Sequence, residues 1–190
     1  MTPPRMDAAG CVLVVVDVQD KLLAKMPTAA ALVASVGFVF DVANLLGVPV
    51  RATEQYPKGL GPTTADIARR LPQPVPAKTA FSCCGVDGFT ADLKAIGRNT
   101  VVLVGMETHV CVAQTAFDLL AAGFTVFIPV DAVSSRFDLD HTTALRRLEQ
   151  AGVILTTAEA VAFEWVRDAA HPQFKAVSRL VIERSAPLSP

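Results

Sequence analysis

The sequence predicts a three-layer α/β/α fold built on a six-stranded, mainly parallel sheet. Four runs rich in Val, Ile and Leu are apolar without alternation, as strands covered on both faces must be. Helical patterns separate these runs, and strand alternating with helix is the mark of a parallel sheet flanked by helices. Glycines at 47, 97, 123 and 152 each follow a helical run just before the next strand, where a left-handed cap favours glycine.

In chain order the strands are CVLVVVD (11–17), the shorter VPVRAT (48–53), the weak VPAKT (75–79), TVVLVGM (100–106), TVFIPVD (125–131) and GVILTT (152–157). Helices are expected over 28–46, 88–97, 110–122 and 138–151, followed by two terminal helices in AEAVAFEWVRDAA (158–170) and PQFKAVSRLVIE (172–183), the second starting at Pro172. Residues 54–76, rich in Pro and Gly, read as a functional loop with one helical turn. Right-handed crossovers in a doubly wound sheet place the first strand beside the fourth, and the crevice at that reversal is the default binding site. Asp17 and Cys111 then face each other across it.

A chain of 190 residues is expected to form one domain spanning 1–190 and to bury roughly 70% of the surface its unfolded form exposes. An apolar fraction of 52% against 18% charged points to a face covered by a second subunit, so a homo-oligomer is expected. The net charge of −1 with scattered Lys and Arg lacks the basic stripe that nucleic acid demands. The apolar run at 11–16 is far below the roughly 20 residues of a membrane span, and MTPPRMDAAG has no signal-peptide core. A cytoplasmic protein without a membrane partner is expected. Cys11, Cys83, Cys84 and Cys111 form no C-x-x-C pair, so reduced thiols are expected.

Cys111 opens a helix just after a buried strand. A thiol attacks a carbonyl only as thiolate, so either its pKa falls or a base takes the proton. Unpaired N–H groups around 109–112 supply the positive end of a helix, Asp17 can accept the proton, and Lys78 can hold Asp17 ionised. A His109–Cys111 dyad is disfavoured because residues two apart on a helix point away from each other. Gln19, Gln55, Tyr56, Phe81 and His109 are candidates to line a pocket for a small-molecule substrate. Asp131 and Ser134 to Arg136 read as loop-fixing residues, and Gly59 and Gly61 lack the Gly-Lys-Ser/Thr ending of a phosphate loop.

Three stretches taken together, VVVDVQ with Asp17, AKTAFS with Lys78, and GMETHVCVAQTAFDLLAAG with Cys111, resemble the isochorismatase-like cysteine hydrolases. This family includes nicotinamidases, N-carbamoylsarcosine amidohydrolases and isochorismatases. TEQYPKGLGPT, VDAVSSR and HPQFKAVSRLVIE are similar more narrowly to the isochorismatase domain-containing proteins. The resemblance covers nearly the whole chain. It implies the family's Rossmann-like fold, with Asp17 as base, Lys78 as its charged partner and Cys111 as nucleophile. It further implies a cis peptide at Met106–Glu107, with the N–H groups of Glu107 and Cys111 as oxyanion hole.

Nicotinamidases carry an Asp and His metal cluster after the second strand, where this chain reads ATEQYPKG. With only His109, His141 and His171, no metal and no other cofactor is expected. The expected activity is metal-independent hydrolysis of a small amide or related carbonyl compound through a Cys111 thioester. The alternatives are a catalytically silent binding or scaffold protein of the same fold, and a thiol sensor in which Cys83 or Cys84 resolves Cys111.

Overall fold

The computed structural model describes residues 5–185; the domain ends expected at 1–4 and 186–190 lie outside them. Among the described residues seven strands form one sheet: β1 (Cys11–Val16), β2 (Val50–Gln55), β3 (Ala77–Lys78), β4 (Thr100–Met106), β5 (Thr125–Pro129), β6 (Val133–Ser134) and β7 (Ile154–Thr156). The order is β3-β2-β1-β4-β5-β7, and β6 pairs with β4 beside that path. Every ladder is parallel. β1 is central and neighbours β4, as the doubly wound reading required.

Helices α1 (Asp20–Leu23), α2 (Ala29–Leu45), α3 (Pro57–Leu60), α4 (Ala65–Ala68), α5 (Phe89–Ala95), α6 (Ala113–Ala121), α7 (Asp138–Gln150), α8 (Ala158–Val166) and α9 (Phe174–Ser185) complete the layers. The pleat of β1 divides the core. Leu13 and Val15 join one cluster with Val36 and Val39 of α2, Trp165 of α8 and Val177 of α9. Val12, Val14 and Val16 join the other with Leu93 of α5, Ala116 and Leu119 of α6, and Leu148 of α7. Both faces of the strand are therefore dry, which is why its sequence shows no alternation. Each fully buried Val or Leu contributes about 1.5–3 kcal/mol relative to exposure.

Several boundaries differ from those expected. β2 runs on to Gln55 and β3 shrinks to two residues, and their register sets Gln55 beside Lys78. The 54–76 loop holds two short helices instead of one turn, α9 begins at Phe174 instead of Pro172, and β6 was not expected. The largest difference surrounds Cys111. The helix expected from 110 is preceded by a π-helical turn, Thr108–Val112, and α-helix proper starts only at Ala113.

At the C-terminal edge of β1 and β4, Val16 pairs with Gly105. A Cβ at Gly105 would collide with the Val16 carbonyl oxygen, and the glycine has φ 116°, so only glycine permits this approach. One residue later Asp17 turns into the left-handed region with φ 51°, a conformation Asp tolerates better than most residues. The sheet thus ends by presenting Asp17 and the Met106–Glu107 peptide side by side.

Candidate active site

Asp17 is fully buried, and its Oδ2 lies 2.6 Å from Lys78 Nζ, whose side chain is 1% exposed. A buried ion pair needs every remaining donor and acceptor satisfied. Here it is: Lys78 Nζ also donates to Gln55 Oε1 at 2.6 Å and to the Phe81 carbonyl at 2.9 Å, which uses all three ammonium hydrogens. Asp17 Oδ1 accepts from the Thr53 hydroxyl at 2.9 Å. Burial pushes the Asp17 carboxyl above its ordinary value, while Lys78, then Cys111 and last Thr53 pull it back.

Cys111 sits on the π-helical turn and is 5% exposed. Its sulfur is 4.0 Å from Gln55 Oε1 and interacts with Asp17 both as a hydrogen-bonding neighbour and through charge. Burial first and the Asp17 charge second push the thiol up to about 12, against the pull of Lys78. At neutral pH the proton therefore stays on sulfur. The N–H groups of Val110 and Val112 both donate to the Glu107 carbonyl at 3.1 Å. The Met106–Glu107 peptide is cis. Glu107 is buried, and its Oε1 accepts from the Arg136 backbone at 3.2 Å and from Arg136 Nε at 3.0 Å.

The remaining candidate residues fall into three groups. The Gln19 side chain, fully buried, accepts from the Gln55 N–H at 2.8 Å and donates to the carbonyls of Gln55 and Gly61 at 3.1 and 2.5 Å; it ties the loop after β1 to the loop after β2. Gln55 in turn donates to the Thr79 carbonyl at 3.0 Å, so its amide is committed to holding Lys78. Tyr56 and Phe81 are about half exposed, at 54% and 51%, and Tyr56 lines a cleft of about 540 Å³ shared with Lys78 and Asp87. His109 turns toward α7, with Nδ1 3.0 Å from Ser135 Oγ and Nε2 3.7 Å from Asp140 Oδ2.

A family model for the isochorismatase domain matches residues 11–160. The chain belongs to the isochorismatase family. It is 38% identical to isochorismatase domain-containing protein 2 of Danio rerio over 95% of this chain and 91% of that relative. Among solved structures, the MAR1 ribonuclease of Caenorhabditis elegans superposes with a TM-score of 0.90 at 40% identity, covering 98% of each chain. YcaC of Escherichia coli, an octameric hydrolase of unknown specificity, superposes with a TM-score of 0.89 at 26% identity over 98% of this chain and 94% of its own. These are isochorismatase-like hydrolases in fold, and the family is generally one of hydrolases.

Within this family, nicotinamidases hold a metal beyond the second strand, and the residues present here do not fit one. At that place Gln55 Oε1 and Nε2 are spent on Lys78 and Thr79, and Glu54 Oε1 accepts from the backbone and hydroxyl of Thr63 at 2.6 and 2.8 Å. Gln55 has neither the carboxylate nor the imidazole that a divalent ion takes, and Glu54 Oε1 is already held by Thr63. Among the described residues no group of three or more His, Cys, Asp or Glu gathers as a ligand set, and no helix is long and apolar enough to cross a membrane.

One residue at the site, Thr53, carries no signal in the sequence, and two others take parts different from those expected. Thr53 lies within an ordinary strand pattern, and only the β1–β2 register, which pairs it with Val16, places it beside Asp17. Cys83, a candidate resolving thiol by its place beside the lysine motif, is fully buried with its sulfur 3.2 Å from Thr53 Oγ1. Arg136 was read with the loop-fixing residues; its bond to Glu107 makes it a clamp on the peptide next to Cys111.

Proposed function

We propose that this protein is a metal-independent cysteine hydrolase acting on a C–N bond of a small amide or a related carbonyl compound. The observation that carries the reading is the dry Asp17–Lys78 pair at 2.6 Å set against a thiol that burial and the Asp17 charge keep protonated. An isolated charge in such a place costs several kcal/mol, and perturbed groups of this kind concentrate where chemistry is done.

Because Cys111 rests as a thiol, its proton moves to Asp17 as the sulfur attacks the carbonyl, instead of being lost beforehand. Lys78, with no hydrogen left for substrate, keeps Asp17 ionised and able to accept. Backbone N–H groups at Glu107 and Cys111 hold the oxyanion, and the Glu107–Arg136 clamp fixes that corner. Collapse breaks the C–N bond, and Asp17 returns its proton to the departing amine. Asp17 then takes a proton from water, whose oxygen attacks the thioester; the acid leaves and the thiol is restored. Tyr56 and Phe81, exposed at the rim, pack against substrate, and subunits assembled as in the octameric relative cover the apolar rim. A nucleophilic residue exposed by only 5% suits a small substrate.

The test is a screen of amides, ureides and esters for acid release by wild type and Cys111→Ala in parallel. Turnover is expected in the wild type alone, with the variant folded and silent. Turnover retained in Cys111→Ala contradicts the mechanism, and silence in both across the screen favours the scaffold reading.

A second reading, RNA hydrolysis, is favoured by the 40% identity to the Caenorhabditis elegans ribonuclease. Against it stand the net charge of −1 and a site lysine with no free donor for phosphate. Cleavage of a labelled RNA oligonucleotide that survives in Cys111→Ala would decide for that reading.

A further inference from the structure

We infer that Thr53, backed by Cys83, is a positioning residue that fixes Asp17 as an oriented, ionised base, and that a buried chain of hydroxyls and a thiol ties this base to the nucleophile's helix. The inference deepens the cysteine-hydrolase reading and rests on it.

The chain begins at the backbone, where the Asp17 N–H donates to the Thr53 carbonyl at 3.1 Å. The Thr53 hydroxyl then lies 2.9 Å from Asp17 Oδ1 and 3.2 Å from Cys83 Sγ. A hydroxyl has one hydrogen to give, and an ionised carboxylate only accepts. The hydrogen therefore goes to Asp17, which leaves the Thr53 oxygen to accept from the Cys83 thiol. Burial first, and the Asp17 charge second, push that thiol up to about 11, so it remains a donor at neutral pH. Behind it, the Cys83 N–H donates to Thr115 Oγ1 at 2.9 Å, and the Thr115 hydroxyl also bears on the sulfur. Thr115 lies on α6, four residues beyond Cys111.

The path Thr115, Cys83, Thr53, Asp17 is 0–1% exposed throughout, so water does not compete for its bonds. It gives Asp17 a second anchor. Lys78 holds Oδ2 and Thr53 holds Oδ1, which fixes the plane of the carboxylate relative to the sulfur. Donation to the charged form also lowers a carboxyl pKa, so Thr53 limits how far burial raises that of Asp17. The titratable groups acting on Asp17 among the described residues are Lys78 from β3, Cys111 from the π-helical turn and Cys83 from the loop after β3. A threonine serving only to pack the strand would leave the base's ionisation where it was.

The test uses iodoacetamide as probe and reads alkylation of the Cys111 peptide by mass spectrometry across pH, in wild type, Asp17→Asn, Thr53→Val, Thr53→Ser and Cys83→Ala. Alkylation needs the proton accepted, so its acid limb reports the coupled Asp17–Cys111 pair. Thr53→Val keeps the shape and removes the donor, and is expected to move that limb upward by about one pH unit. Thr53→Ser restores the limb, and Cys83→Ala moves it the same way by less. If Asp17→Asn labels as fast as wild type or faster, the base reading itself fails. If Asp17→Asn is slow but Thr53→Val and Cys83→Ala superimpose on wild type, this inference is overturned and the base reading stands. A shift that Thr53→Ser does not reverse reflects lost packing and also overturns it. Should Thr53→Val not fold, an unmoved limb in Cys83→Ala is sufficient to overturn it.

Discussion

The two flanks of the cysteine turn are held in place by different physics. On the β1–β3 side, Asp17, Lys78, Gln55 and Thr53 are buried and bonded to one another and to the Phe81 and Thr79 carbonyls. On the α7 side, Thr108 Oγ1 meets His141 Nδ1 at 2.9 Å, His109 meets Ser135, and Arg136 meets Glu107, but the His109 and Arg136 side chains are 24% and 47% exposed. The first flank keeps charge where charge is expensive; the second uses polar contacts that solvent partly shares. The contrast separates chemistry from support. In the proposed mechanism the dry side holds the proton acceptor and its charged partner, and the wet side holds the loop that presents the thiol.

The sharpest way to break that contrast is Lys78→Met. Removing one partner of a buried pair strands the other, and a loss of about 3–5 kcal/mol is expected in urea unfolding, with activity gone. A loss below 1 kcal/mol would mean that Asp17 is not ionised in the folded protein. Next in size is Arg136→Met, on the wet side. It releases Glu107 and lets the adjacent peptide drift, so kcat is expected to fall about 10-fold, less than the roughly 100-fold that a full 1 Å displacement can cost. An unchanged kcat would remove the clamp from the account.

The smallest effect belongs to His141. Burial lowers its pKa below the ordinary 6.5, so the folded state favours the neutral ring. Its contribution is complete above pH 6.5 and is lost as pH falls through the folded value, because the unfolded chain then binds the extra proton. The thermal midpoint of the wild type should fall between pH 7 and pH 5 by more than that of His141→Gln. Equal slopes would show that the histidine does not couple the turn to pH.

The layers of the fold were legible because the runs at 11–17, 100–106 and 125–131 are long, apolar and non-alternating. Two-residue pieces carry no such pattern, so β6 at Val133–Ser134 was invisible and β3 was barely visible. The π-helical turn was also hidden. Its sequence THVCV fits the periodicity of the helix that follows, and the extra residue per turn is a matter of backbone closure around the Glu107 carbonyl. Asp17 and Cys111 could be picked out because a charge ending an apolar strand, or a thiol opening a helix after one, is unusual, whereas Lys78 stood out only through its AKTAFS motif. Thr53 and Cys83 carry no such signal. Their part arises from register and from a loop fold, and the coordinates that supply both also explain why Gln19 and Gln55 hold the loops and Lys78.

The most direct measurement is the S–H stretching band of Cys111, obtained as the infrared difference between wild type and Cys111→Ser and followed from neutral to strongly alkaline pH. A thiol held at about 12 by burial and by Asp17 should show the band at full strength through neutral pH. Its absence at pH 7 would mean a thiolate formed before substrate arrives, and would contradict proton transfer to Asp17 during attack.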